Sequence, residues 1–519
     1  MVKTVTVVVL ACLLAPGAAG AQATAPSDPI LGAIRNEGTL RSRVPELAQT
    51  LLDSLGPRLT GSPGSEAASD WVIRTYTGWG IEARAERYGT WQGWRRGVTH
   101  LDLLTPRVRT LEATMLALSP GTRGPVTGPV LVIPFLDAPA ERQAFLDRVR
   151  GAFVLLTPPE LSCRPEESWE RSGTPASRQR LAAERDSSRA DWAARARSTG
   201  VSNVLELARL LEGAGAAGVL ASEWSQGWGT QKIYQAYTER APHLDVACED
   251  YGLLWRLALR GQGPTLRLEA DAEALGEVPV ANTIGMIRGS EKPDEYVVLS
   301  AHFDSWDGAS GATDNGTGTI AMMEAMRILS EVVPRPRRTI LAGHWNGEEQ
   351  GLNGSRAFAA DHPEILAGMQ ALFNQDDGTG RVQQITMEGL VGPGERFREW
   401  LRRIPPEIGG AVQLSDPGTP GRGGTDNASF ICAGAPAFGM NALAWDYHTY
   451  TWHTNRDTYD KLVVDDLKAN ATLIAMLAYL ASEDPETMPR TQRELPVDTR
   501  SGQQPTWPTC EDARRSFGR

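Results

Sequence analysis

His302 and Asp304 stand one residue apart where the apolar run of VVLSAHFDSWDGASGATD ends, and they are the first pair able to do chemistry. A histidine nitrogen can ligate a metal. A carboxylate two residues on is placed to accept a hydrogen bond from the other ring nitrogen and so to fix which nitrogen faces an ion. Asp314, twelve residues after His302, heads the amphipathic stretch NGTGTIAMMEAMRILSEV, where an aspartate also reads as a helix N-cap. Glu348 and Glu349 follow the run TILAGHW. Two adjacent carboxylates there repel one another unless a cation or a proton is shared, although solvated loop glutamates would read the same way. Asp376 and Asp377 follow MQALFNQ, and His448 and His453 lie in YHTYTWHTNRDTYDKL.

Such residues need rigid elements to bring them together. The runs Tyr296 to Ala301, Thr339 to Trp345 and MQALFNQ are short and apolar. They read as strands buried on both faces of a parallel sheet, and ligands in open α/β sheets gather beyond the carboxyl ends of such strands. VQQITMEG reads as a fourth strand, GERFREWLRRI as a helix, and Val464 to Leu480 as a final amphipathic helix. Upstream, VPELAQTLLDSLG and SEAASDWVIRTYTGWG read as helices around the turn GPRLTGSPGS, and IEARAERY reads as a strand. The fold class is α/β: a mixed, mostly parallel sheet flanked by helices.

Three successive strands thus end in a metal-capable residue and a late loop adds histidine. Nitrogen and oxygen donors without thiolate suit catalytic zinc, and a bridging carboxylate holds two ions about 3.5 to 4 Å apart. His302, Asp314, Glu349, Asp376 and His453 supply that set. Glu348 is left over to serve as general base on a bound water.

The chain has 519 residues and a formal net charge of −11, or −12 once Lys3 is removed with the N-terminal stretch. This balance disfavours nucleic acid as a partner. In MVKTVTVVVLACLLAPGAAGAQA, Lys3 precedes an apolar run and small residues ending at Ala21. That pattern reads as a cleaved signal peptide, residues 1–21, and so as a secreted or periplasmic protein without stable membrane insertion. Cys163, Cys248, Cys432 and Cys510 then permit two disulfides in any of three pairings, and no C-x-x-C marks a thiolate zinc site. Between residues 101 and 272 short strands alternate with an Arg- and Ala-rich helical stretch, and the helix-to-strand joint NVLELARLLEGAGAAGVLAS suggests a separate β-rich module. The tail, 486–519, lacks periodicity and reads as an extended segment tied down through Cys510.

The succession H-x-D, Asp-Asn-Gly, Glu-Glu, an Asp after a strand, and H-T-x-x-D-T resembles the co-catalytic zinc aminopeptidase and glutamate carboxypeptidase family. His302-Phe-Asp-Ser-Trp-Asp is similar to the corresponding segment of its plasma glutamate carboxypeptidase branch. The glycine-rich joint resembles that of the protease-associated domain. The resemblance implies a zinc peptidase domain in two parts, 22–100 and 273–485, interrupted by a protease-associated insertion at 101–272. It implies two zinc ions, one on His302, Asp314 and Asp376 and one on Asp314, Glu349 and His453. Glu348 would be the general base and Asp304 the partner of His302. Asp376 is favoured over Asp377 by its Asp-x-Gly-Thr context, and His453 over His448 because it heads His-Thr-x-x-Asp-Thr. The Asp314-Asn315 bond is expected to be cis. Thr425-Asp426-Asn427 stands where relatives often carry Ser-Asp-His or Ser-Asp-Tyr. The implied substrates are short peptides cleaved at a terminus, the insertion covers the mouth of the site, and a homodimer is expected. Alternatives within the same fold are a one-zinc acyltransferase of the glutaminyl-cyclase kind and a non-catalytic peptide-binding ectodomain.

Overall fold

The computed structural model describes residues 28–497 and 500–518, so the stretch read as a signal peptide lies outside the described residues. Four parallel strands form the centre of the main sheet, in the spatial order Ala437–Ala442, Met369–Asn374, Lys292–His302 and Arg338–Trp345. All eight residues of Arg338–Trp345 and all six of Met369–Asn374 are buried. Continuous apolar runs do this when helices cover both faces of a parallel sheet. Antiparallel strands flank the parallel centre: Thr265–Ile287 beside Arg338–Trp345, and Val382–Thr386 beside Ala437–Ala442. The helices Thr317–Val332 and Val464–Glu483 pack on each other and on the Lys292–His302 strand. Both are apolar nearly all round, as befits helices enclosed by other elements.

Beyond this sheet the chain builds a second lobe on one long ribbon. Glu82–Thr105 pairs antiparallel with Thr265–Ile287 along almost its whole length. The distal half of the ribbon alternates, with Leu266, Leu268 and Ala270 buried and Arg267, Glu269 and Asp271 exposed, so only one face meets the lobe. Its proximal end, Asn282 to Gly285, is buried continuously in the main sheet. The boundaries expected at 100/101 and 272/273 therefore fall inside unbroken strands. Within the lobe Phe153–Leu155, Gly218–Ala221 and His243–Val246 run parallel. The helices Pro139–Val149, Pro175–Ser198, Val204–Gly213 and Cys248–Leu259 contribute more residues than its short strands. The region read as β-rich is thus mixed, because the Arg- and Ala-rich stretch is helical for 24 residues.

Disulfides join Cys163 to Cys248 and Cys432 to Cys510. The second ties the C-terminal segment to the main body, where Phe517 meets Trp91 edge-on and the Thr90 N–H donates to the Arg515 carbonyl at 2.9 Å. Among the described residues no helix is long and apolar enough to cross a membrane.

Candidate metal centre

His302 is the last residue of its strand and pairs in register with Trp345, the last residue of the neighbouring strand. Glu348 and Glu349 follow Trp345 within four residues, and Asp376 lies two residues beyond Asn374. The carboxyl ends of three adjacent parallel strands thus open on one place.

Asp314 reaches the same place from a turn. It does not begin the helix, which starts at Thr317, and its own backbone is non-helical (φ −135°, ψ 89°). The capping role falls to Asn315, whose Oδ1 accepts the Gly318 N–H at 3.0 Å. The Asp314-Asn315 bond is cis. Gly311, at φ +59°, admits the turn, since a Cβ there would come within 2.3 Å of the Ser305 Cβ. With its side chain released from capping, Asp314 is free to face the site.

The side chains gather into two trios that share Asp314. His302, Asp314 and Asp376 form one, and Asp314, Glu349 and His453 the other, with the donor atoms of each trio within 4.8 Å of one another. Asp314 Oδ1 lies 3.3 Å from His302 Nε2, and Oδ2 lies 3.2 Å from His453 Nε2. Asp376 Oδ1 is 3.1 Å from His302 Nε2, and Glu349 Oε2 is 2.9 Å from His453 Nε2. Asp377 turns away and accepts the Ala442 N–H at 3.0 Å. His448 is exposed and stands apart from both trios.

The donor set fits a pair of cations. Asp314 Oδ2, Glu349 Oε1 and both oxygens of Asp426 are buried without a hydrogen-bond partner. Buried polar atoms are rarely left so unless another group satisfies them. Electrostatics say the same. Burial, then Asp314, pushes the Glu349 carboxyl up to about 7. Burial pushes Glu348 well above the carboxylate range and Asp426 up to about 7. Burial would lower His302, but Asp376 foremost holds it well above its ordinary value, and Glu349 and Asp314 likewise raise His453 to about 10. Without ions, a pocket with this excess of carboxylates retains protons; with cations present, those protons are displaced.

Asp304 departs from expectation. Its backbone carbonyl, not its carboxylate, takes the His302 Nδ1 hydrogen bond at 3.0 Å, while the carboxylate lies 3.8 Å away. The strand ends at His302, so the chain turns and the carbonyl comes under the ring. The carboxylate instead accepts the Glu348 N–H at 3.1 Å, the Glu349 N–H at 3.3 Å and the Thr60 hydroxyl at 3.0 Å. It holds the two-glutamate turn in place.

Three further residues belong to the site. Asp457 accepts the Thr313 N–H at 2.7 Å and the Asp314 N–H at 3.0 Å. Its place in the H-T-x-x-D-T succession was the available signal. Arg58 is fully buried, and its guanidinium donates to the carbonyls of Gly56, Phe303, Ser310 and Gly311. An arginine in a Gly/Pro turn gives no such hint. Asp426, in the segment Thr425-Asp426-Asn427, is fully buried, and its charge acts on the same pocket.

A sheet whose strand ends deliver two candidate metal trios sharing one carboxylate is the setting in which comparison with known proteins is read. Residues 282–478 match the model of peptidase family M28. The chain is 25% identical to carboxypeptidase Q of Mus musculus over 455 residues, 88% of each chain. Among solved structures it is similar to a peptidase M28 precursor from Shewanella amazonensis, with a TM-score of 0.63, 23% identity, and 90% of this chain and 99% of that one covered. It also shares its fold with BSAP, a zinc aminopeptidase from Bacillus subtilis, at a TM-score of 0.55 and 18% identity, covering 87% and 97% of the two chains. The family match falls on the stretch that carries His302, Asp314, Glu349, Asp376 and His453.

Proposed function

We propose that this chain is a zinc-dependent exopeptidase that hydrolyses the terminal bonds of short peptides outside the cytoplasm. Asp314 carries the reading, because each of its oxygens faces a different histidine and completes a different trio. On this reading His302, Asp314 and Asp376 hold one zinc, and Asp314, Glu349 and His453 hold the other. The nitrogen and oxygen donors, without thiolate, are those catalytic zinc takes, and zinc is the metal named for the Bacillus subtilis aminopeptidase of the same fold. Two ions bound here supply Lewis acidity toward a peptide carbonyl and lower the pKa of water.

The remaining chemistry falls to the chain. Glu348 belongs to neither trio, and burial raises its affinity for a proton. It takes a proton from water as the water oxygen attacks the carbonyl carbon. It returns that proton to the amine nitrogen as the C–N bond breaks, leaving a free amine and a carboxylic acid. Asp304 keeps Glu348 in place through the backbone N–H of the turn.

Carboxypeptidase and aminopeptidase, the names carried by the relatives, both denote removal of terminal residues. A second complete trio favours this reading over a one-zinc acyltransferase and over a non-catalytic ectodomain. Two disulfides favour an oxidising compartment, in keeping with the N-terminal stretch. We read residues 101–272 as an inserted module of the protease-associated kind.

The deciding experiment is Glu348→Gln. It is expected to keep two zinc ions per chain by elemental analysis while kcat/KM falls by roughly 10²–10⁴-fold. Ordinary turnover in that variant would overturn the assignment. Peptides blocked at one end or the other, given to the wild-type enzyme, then show which terminus is read.

A further inference from the structure

The two histidines of the centre are held in different ways. His302 hydrogen-bonds through Nδ1 to the Asp304 carbonyl next to it in the chain. Nδ1 of His453 is buried and has no hydrogen-bond partner. A ligating histidine ordinarily has its other nitrogen hydrogen-bonded, and that bond sets the ring's orientation. At His453 something else must do so. The residue also sits at φ +53°, a conformation that residues other than glycine rarely adopt, so its surroundings must impose it.

Those surroundings come from the second lobe. The Ile233 N–H donates to the His453 carbonyl at 2.9 Å, and Lys232 forms an antiparallel bridge with Thr454. The Asn455 N–H donates to the Gln231 carbonyl at 3.0 Å. Asn455 Oδ1 accepts the Gln231 N–H at 2.9 Å, and its Nδ2 donates to Gln231 Oε1 at 2.8 Å. Lys232 Nζ donates to the Trp452 carbonyl and lies 4.3 Å from the centre of the Trp452 ring. Trp452 in turn stacks on His453 at 4.2 Å, and Tyr234 meets the same imidazole edge-on at 5.2 Å. The segment is itself rooted in the lobe, because Gln231 Nε2 donates to the carbonyls of Glu112 and Asp245 at 3.0 and 2.9 Å.

Resting on the dinuclear reading above, we propose that Gly229 to Tyr234 of the second lobe is a positioning clamp for His453. The clamp sets the metal affinity of the Asp314, Glu349 and His453 site and leaves that of the His302, Asp314 and Asp376 site unchanged. The lobe thereby completes one half of the centre, apart from any part in covering it. Removing the whole lobe would confound these roles, whereas point changes in the clamp separate them.

The test is zinc content of the purified full-length chain, titrated with a competing chelator and read by elemental analysis. Asn455→Ala removes three side-chain bonds of the clamp, to the Gln231 N–H, to Gln231 Oε1 and to the Gly229 carbonyl, without touching a ligand. One of its two ions is expected to leave at a roughly 10–100-fold lower chelator concentration than in the wild type, the second leaving where the wild type loses it. Excess zinc should restore both the stoichiometry and the activity. Tyr234→Ala, a half-buried change that removes the ring packed on His453, provides the second case should Asn455→Ala not fold, and the same selective loss is expected. Wild-type retention of both ions in the folded variants, or parallel loss of both, overturns the clamp. A wild-type chain that never holds two ions overturns the dinuclear reading and the clamp with it, so the two failures are told apart.

Discussion

Asp457 Oδ2 accepts the backbone N–H of Asp314 at 3.0 Å, while its Oδ1 takes both the N–H and the hydroxyl of Thr313, at 2.7 and 2.8 Å. The loop that brings His453 to the centre therefore also fixes the backbone of the carboxylate shared by both trios. A carboxylate spent on holding another carboxylate is costly in a buried place, and burial, then Asp314, pushes Asp457 up to about 7.

Asp457→Asn tests that relationship. The amide keeps one acceptor oxygen but sets an N–H₂ group against an N–H donor, so the Asp314 turn loses a support. Both trios share Asp314, so metal affinity at both should fall, by roughly 10–100-fold. Tight binding of two ions in this variant would show that Asp314 needs no such support.

Stability should respond to pH in opposite ways with and without metal. Glu349, Asp426 and Asp457 have folded values raised to about 7, so between about 4 and 7 the metal-free native state holds protons that the unfolded chain has lost. His453, raised to about 10, does the same above about 6.5. Stability derived from these groups is present at low pH and declines as pH rises. Zinc binding displaces the same protons and so strengthens with pH. The melting temperature of the loaded protein minus that of the stripped protein should therefore grow by several degrees from pH 5.5 to 8. A difference that shrinks over this range would contradict the proton accounting.

Arg58 is expected to be the most damaging single loss outside the trios. Burial lowers it to about 10, with Asp457 foremost resisting, so it remains a cation at neutral pH beside an acidic pocket. Arg58→Met strands four carbonyls, those of Phe303 and Gly311 buried and those of Gly56 and Ser310 half-buried, and removes that charge, which should cost about 3–5 kcal/mol in a denaturant melt. Arg58→Lys should recover little, because one ammonium cannot span acceptors arranged for a planar fork. Near-complete rescue by lysine would show that charge alone matters there.

Legibility from sequence followed the physics of each residue. The strand runs ending at His302, Trp345 and Asn374 were readable because full burial leaves an uninterrupted apolar pattern, and the residues just beyond them had to converge. Asp314 was readable as either cap or site residue. Only the backbone angles, with Asn315 taking the cap, separated the two. Asp304 was placed by proximity in the chain, which does not reveal that the turn after His302 presents a carbonyl to the ring and sends the side chain to Glu348. Arg58, Gln231 and Asn455 act through backbone groups remote in sequence, and such contacts leave no periodicity. Disulfide pairing was equally closed to inspection, since Cys163 joins Cys248 and Cys432 joins Cys510 by virtue of the folded path.

The ribbon that carries the second lobe leaves and re-enters the main body side by side, with Ala85 opposite Thr283 and Arg87 opposite Ala281. Everything beyond it can be enlarged, trimmed or exchanged by one cut and one splice without shifting the register of the catalytic sheet. The edge that faces His453 has no such licence, so a transplanted lobe must bring its own equivalent of Gln231 to Tyr234 or leave half of the centre unsupported.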